Sequence, residues 1–260
     1  MRQNDAFAPL HFYATAPYVC SYLPERIARS QVALTRIIEM PADMPEQDFN
    51  ADLAAAYGTL VQHGFRRSGT YVYRPHCDDC QACVPVRLPV ERFVPDRAQR
   101  RAMRRNADLN VREYPLKFLE EHFQLYCRYL LDRHLHGGMD DGNREQYQQF
   151  LLQSPVESFL IEFRAGTTLR MVSVVDKLED GLSSVYTFYD PDLPRASLGT
   201  YGILWQIEAC RHLRLPYLYL GYWIAEARKM AYKINFRPIE GYRRTGQWQE
   251  IGPNGFDAAP

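Results

Sequence analysis

No stretch of this chain approaches the ~18 uninterrupted apolar residues of a membrane-spanning helix, so no such span is expected. The first twenty residues hold no apolar run behind a basic one, and a cytoplasmic location is expected. Net charge is missing as well. Lys+Arg and Asp+Glu number 31 each, and the pI is near 7.0. The molecule as a whole is therefore not a generic polyanion binder, and any nucleic-acid contact must come from local clustering. Cysteine is sparse, with 6 in 260 residues, which excludes a disulfide-stapled scaffold. No internal repeat stands out. What is plentiful is apolar and aromatic: 46% hydrophobic residues and 18 Tyr rule out general disorder and supply a core for one large domain or two modest ones.

Chemistry concentrates between Gly64 and Asn106. Arg66 and Arg67 open an aromatic strand. Cys77, Cys80 and Cys83 follow at intervals of three, a spacing that lets one loop close on an ion, and soft thiolates favour zinc or an iron–sulfur cluster. Cys20 is the candidate fourth ligand and His76 its rival; reduced thiols packed under a loop are the alternative. Then Arg92 leads into Arg97, Arg100, Arg101, Arg104 and Arg105. Those five are spaced by three and four, so they share one helical face. Only Asp96 and Asp108 flank them, an imbalance that favours phosphate contact over an idle solvated face.

The periodicity predicts a strand over 28–38, a helix over 45–63 stopped by Gly64, and a strand over 65–73. Residues 84–90 read as an extended piece whose prolines suit a sheet edge. A helix capped by Asp96 carries the arginines. Next come a strand over 106–114, an amphipathic helix over 116–135 and a helix over 144–152. Strands follow at 156–163, 169–178 and 182–189, with a tight turn at Asp180-Gly181. A helix over 197–212, a strand over 216–221 and a helical turn over 229–233 complete the pattern. The tail from Gly246 reads as disordered.

Strand, strand, strand, helix, strand, helix over 150–238 is the order of the acyl-CoA N-acyltransferase (GNAT-like) fold in an α+β chain. The first half is a candidate degenerate copy of it. The expected division is an N-terminal cysteine-bearing module at 1–105, an acyltransferase-like domain at 106–245 and a flexible tail at 246–260. The phosphate-cradling glycine loop of that fold is absent, since 195–200 offers one glycine, so a coenzyme A pyrophosphate is poorly provided for.

The tyrosines at 186, 189, 217, 219 and 222 need hydroxyl partners if buried, and some are expected to line a pocket. Asp176 interrupts an apolar strand and needs a basic or hydroxyl partner, in a structural ion pair or a functional role. Cys127 and Cys210 lie on apolar helical faces and read as core. His134 and His136 read as loop residues.

Ten stretches of the chain carry a resemblance. Residues 17–23 (PYVCSYL), 64–73 (GFRRSGTYVY), the Cys77 cluster with 84–87 (VPVR), and 99–106 (QRRAMRRN) belong to it. So do 183–186 (SSVY), 188–191 (FYDP), 197–201 (SLGTY), 219–222 (YLGY), 229–233 (KMAYK) and 235–238 (NFRP). Together the chain resembles the aminoacyl-tRNA–protein transferases of the N-degron pathway, in their bacterial aspartate/glutamate leucyltransferase branch. The resemblance implies transfer of an amino acid from a charged tRNA, leucyl-tRNA favoured, to the N-terminal α-amine of a protein that begins with Asp or Glu. It implies an acetyltransferase-like fold and no cofactor for the transfer itself. In the eukaryotic arginyl branch, cysteines of the N-terminal module are associated with an iron–sulfur cluster; the spacing here differs. An acidic acceptor calls for a cationic clamp, for which Arg66, Arg67, Lys229, Lys233 and Arg237 are the candidates. Tyr186, Asp176 and Tyr222 are the candidate catalytic groups, and the arginines of 97–105 the tRNA contact. Arginyl transfer, a non-catalytic tRNA- or metal-binding adaptor, and a coenzyme A acetyltransferase are the rival readings.

Overall fold

The computed structural model describes residues 11–34, 45–133, 143–252 and 255–256. Expectations placed on 35–38 and on His134 and His136 lie outside them. The chain lays down two main sheets. The smaller has the order β1 (Phe12–Ala14), β4 (Ser30–Leu34), β6 (Tyr71–Pro75), β5 (Arg66–Ser68). A short ladder of β2 (Tyr18–Val19) and β3 (Ile27–Ala28) precedes β4. The larger sheet has eight strands. Its order is β14 (Trp248–Glu250), β13 (Glu240–Tyr242), β7 (Val84–Pro89), β12 (Tyr217–Trp223), β11 (Gly181–Tyr189), β10 (Thr168–Lys177), β9 (Ser158–Ala165), β8 (Asn110–Pro115). In it β11 and β12 run parallel, and the other neighbours are antiparallel.

The period of two in β10 explains the layering. Val172 and Val174 face one side; Met171 and Val175 face the other, and all four are fully buried. On the first side lie α3 (Glu120–Arg133) and α4 (Arg144–Tyr147), which bring Leu125, Tyr126, Leu130 and Tyr147. On the second lie α2 (Arg97–Arg105) and α5 (Leu198–His212), which bring Ala102, Ile203, Leu204 and Ile207. The sheet is thus buried on both faces. A third cluster packs α1 (Glu46–Gln62), through Tyr57, Leu60 and Val61, against Ala33 and Val72 of the small sheet. A last short helix is α6 (Arg228–Ala231).

Four expectations are corrected. The strand read over 65–73 is a hairpin, β5 and β6, turned at Gly69. Its φ is +59°, and a Cβ there would lie 2.3 Å from the Gln149 carbonyl oxygen, so glycine is required. β7 is not an edge: it pairs with β12 on one side and β13 on the other. Its prolines are tolerated because Pro85 and Pro89 flank the only two residues, Val86 and Arg87, that β13 reaches. The strand read over 106–114 begins at Asn110, because Asn106 is spent ending α2 and donates its amide to Ala102 O. Finally, the tail is not all loose. β14 joins the sheet, Ile251 is fully buried, and the Arg87 guanidinium lies between the rings of Tyr217 (3.6 Å) and Trp248 (4.4 Å) while paired to Glu240 at 2.8 Å.

Candidate functional site

The two parallel strands separate. β11 and β12 are in register from Gly181↔Tyr217 to Ser183↔Tyr219, after which β11 runs on to Tyr189 and β12 to Trp223 without pairing. β12 also carries a bulge between Tyr219 and Gly221 against β7. Gly221 has φ +73°, and an added Cβ would meet the Arg66 guanidinium at 3.0 Å. That guanidinium sits in the mouth of the split. One terminal nitrogen donates to Ser184 O at 2.5 Å and faces Val185 O at 3.3 Å; the other reaches Ser183 Oγ at 3.4 Å. Arg66 stands opposite Tyr73 in the hairpin ladder, so both share one face of the small sheet.

A second cation arrives from the turn over 232–235. Lys233 is only 6% exposed, and its Nζ donates to Tyr222 O at 2.6 Å. Burial, with the Arg66 charge acting in the same direction, lowers its pKa to about 7. Among the described residues neither Arg66 nor Lys233 has a carboxylate within 4.0 Å. A half-buried guanidinium beside a buried amine, with no acid paired to either among the described residues, forms a centre of unbalanced positive charge whenever the amine is protonated.

Hydroxyls and rings surround it. Tyr73 packs on Tyr222 with centroids 6.2 Å apart, and the Tyr222 hydroxyl lies 2.9 Å from Gly64 O and 3.2 Å from Tyr73 O. Across the split, Tyr186 is half-buried against Tyr126, Tyr129 and Phe150, and burial keeps its hydroxyl protonated far above neutral pH. Tyr22 closes the same neighbourhood; its charge would act on both Tyr186 and Tyr222.

The arginine helix is anchored beside this centre. Asp96 caps α2 in a full capping box with Gln99, both arms at 2.8 Å. The Gln99 amide then donates to Asn235 O at 3.0 Å, in the turn that carries Lys233. Arg97, Arg100, Arg101, Arg104 and Arg105 are all exposed, while Gln99 and Ala102 point inward. Arg105 reaches Arg195 O in the approach to α5, where a Cβ added at Gly199 would lie 3.1 Å from the Tyr189 ring. None of the five has a carboxylate within 4.0 Å among the described residues.

Other expected site residues go elsewhere. Arg67 and Asp176 are paired with each other in a buried ion pair. Arg237 donates to Ile251 O and Gly252 O and ties down the C-terminal segment. Lys229 is exposed on α6. Tyr222 turns its hydroxyl to backbone carbonyls and serves the site through its own carbonyl, which holds Lys233. Cys20, Cys77, Cys80 and Cys83 are free thiols lining one cavity of about 50 Å³ with Tyr22, Tyr73 and Tyr222. Burial, with the neighbouring thiols, pushes Cys83 up to about 12. Arg26 donates to Cys80 Sγ at 3.2 Å. Among the described residues, no group of three or more His, Cys, Asp or Glu is drawn together to hold a metal ion. Gly221, Tyr22 and Tyr73 lie within the stretches that carry the resemblance but were assigned no place at the site, because their positions there depend on a strand bulge and on cross-strand register.

Residues 18–101 match the family model described as Arginine-tRNA-protein transferase, N terminus, and residues 121–243 match its C terminus counterpart. The aspartate/glutamate leucyltransferase of Chromobacterium violaceum is 52% identical over 250 residues, 96% of this chain and 98% of that one. That of Thiobacillus denitrificans is 53% identical over 246 residues, 94% and 96%. Among solved structures, L-PGS from Bacillus licheniformis superposes with TM-score 0.41 at 11% identity, over 65% of this chain and 49% of that one. So loose a match carries no argument.

Proposed function

Because the chain belongs to the arginine-tRNA-protein transferase family, in its aspartate/glutamate leucyltransferase branch, we propose that the split between β11 and β12 is where it moves leucine from leucyl-tRNA to the α-amine of an N-terminal Asp or Glu. The observation that carries the placement is the half-buried Arg66 beside the buried Lys233, with no paired acid among the described residues. An acceptor's side-chain carboxylate is the anion such a centre lacks. Arg66 binds it through the guanidinium edge not used on β11.

The arginine face of α2 takes the phosphates of the acceptor stem, and the tether from Gln99 to Asn235 brings the esterified end to the same mouth. The leucyl side chain lies among the rings at Tyr186, Tyr129 and Phe150. The ester is already activated, so catalysis is mainly positioning, oxyanion stabilisation and removal of one proton. Tyr186, held protonated, is the hydroxyl that donates to the developing oxyanion. The meander, the following helix and the split parallel pair fit a GNAT-like layout, with an aminoacyl ester in place of an acyl thioester.

Incubating the protein with an Asp-starting peptide and either leucyl-tRNA or arginyl-tRNA tests this directly by mass spectrometry. A leucine added to the peptide amine is expected. Transfer from arginyl-tRNA alone, or none from either, overturns the reading.

A further inference from the structure

Lys233 poses a problem that the clamp alone does not answer. Arg66 is sufficient to bind one carboxylate, since it is permanently charged and offers a planar fork. A lysine placed behind it, nearly closed to water and held by the Tyr222 carbonyl and, at 3.9 Å, the Met230 sulfur, is a poor second clamp. Buried amines without an acid partner release their proton easily. The groups that act on Lys233 are Arg66 from β5 and the Cys83 thiol ahead of β7, and Tyr222 of β12 supplies the carbonyl that holds it. With Cys83 held as a free thiol by burial, none of these brings a negative charge at neutral pH.

We propose that Lys233 is the proton acceptor for the reacting α-amine, and that the acceptor's own carboxylate switches it on. The inference rests on the Arg66 anion site above. In the empty site Lys233 is a neutral amine much of the time, with a pKa of about 7. A carboxylate arriving beside Arg66 and Lys233 stabilises the ammonium form of Lys233, by roughly one to three pKa units for an opposite charge at close range. That lifts Lys233 past an N-terminal amine, whose reference value is about 7.7–8.0. One proton then passes from the substrate ammonium to the Lys233 Nζ. The substrate nitrogen keeps its lone pair for the ester carbonyl, and nothing is oxidised or reduced. An acidic first residue is thus selected twice: once in binding and once because it makes its own base.

Two measurements test this on the full-length protein. The first is calorimetry at pH 8 in buffers of different ionisation enthalpy, with a succinyl-capped peptide, which is the Asp acceptor without its amine. Binding should take up roughly 0.4 to 0.9 of a proton per site in the wild type, for a pKa raised from about 7 by one to three units. Lys233→Met should bind with none, and the Asp-starting peptide, whose amine is still about one-third to one-half protonated at pH 8 and supplies that share of the proton itself, should show a smaller net uptake in the wild type. Binding of the succinyl peptide without proton uptake, or with the same uptake in Lys233→Met, overturns the inference. No binding of it at all, with the Asp peptide still bound, instead overturns the anion site on which the inference stands. The second is kinetic. Lys233→Arg keeps the charge but cannot accept a proton, so kcat should fall by about 100-fold or more while KM for the Asp peptide changes little, and ethylamine should restore part of the rate in Lys233→Ala. An unchanged kcat in Lys233→Arg rejects the role.

Discussion

Arg67 and Asp176 face each other across the two sheets, Nη2 to Oδ1 at 2.7 Å and Nε to Oδ2 at 2.9 Å, with both side chains wholly buried. Tyr57 and Ser158 hydroxyls donate to the same carboxylate at 2.8 and 2.6 Å, and the remaining Arg67 nitrogen donates to Gln153 O. The pair is fully satisfied, so removing one member strands a buried charge. Arg67→Ala should lose about 3–5 kcal/mol in denaturant unfolding. Exchanging both partners for apolar residues should lose much less, and a mild single-variant loss would contradict the burial described.

Arg66→Ala should raise KM for Asp- and Glu-starting peptides roughly 10- to 150-fold, the size of a lost charge-assisted hydrogen bond. Affinity for leucyl-tRNA should not change. Gly221→Ala should act in the same direction, because its Cβ displaces the guanidinium. The two effects should not add in the double variant, since both pass through one side chain. Steady-state kinetics with varied peptide checks all three.

The arginine face of α2 predicts a salt signature. Arg101→Ala with Arg104→Ala should weaken tRNA binding uniformly across tRNA species. It should also flatten the dependence of log affinity on log salt by about 1 per lost phosphate contact. Anisotropy titrations over a range of KCl measure it. A slope equal to the wild type's would mean the face is only solvated.

Lys233 also leaves a mark on stability. Its pKa falls from 10.5 in the unfolded chain to about 7 in the fold. Between those values the unfolded chain holds a proton that the folded chain has released. Stability should therefore rise with pH across the window from 7 towards 10, with a slope of up to about 1.4 kcal/mol per pH unit from this residue. Lys233→Met should be more stable than the wild type near pH 7 and should lose that slope. Urea midpoints at a series of pH values decide it.

How much of this was legible in the sequence depends on what kind of signal each residue carries. The arginine helix was readable because its spacing, cap and imbalance are local, and Asp96 sits where the cap was expected. The β9–β10–β11 meander was readable because alternation is local too. The two adjacent arginines were not separable: a strand sends neighbours to opposite faces, so Arg66 meets the split while Arg67 meets Asp176 more than a hundred positions away. Asp176 was visible as an oddity, and only its partner decided between an ion pair and chemistry. The prolines of β7 misled because edge strands are their usual home, whereas here the neighbour is simply too short to reach them.

That strand has a consequence for how the molecule is made. Val84–Pro89 lies within the stretch matched by the N-terminal family model, yet its partners Tyr217–Trp223 and Glu240–Tyr242 lie within the C-terminal one. A ribosome releases β7 long before either neighbour exists, so its ladder groups must wait, and an engineered split placed between the two halves would leave a slot in the middle of the large sheet rather than a clean seam.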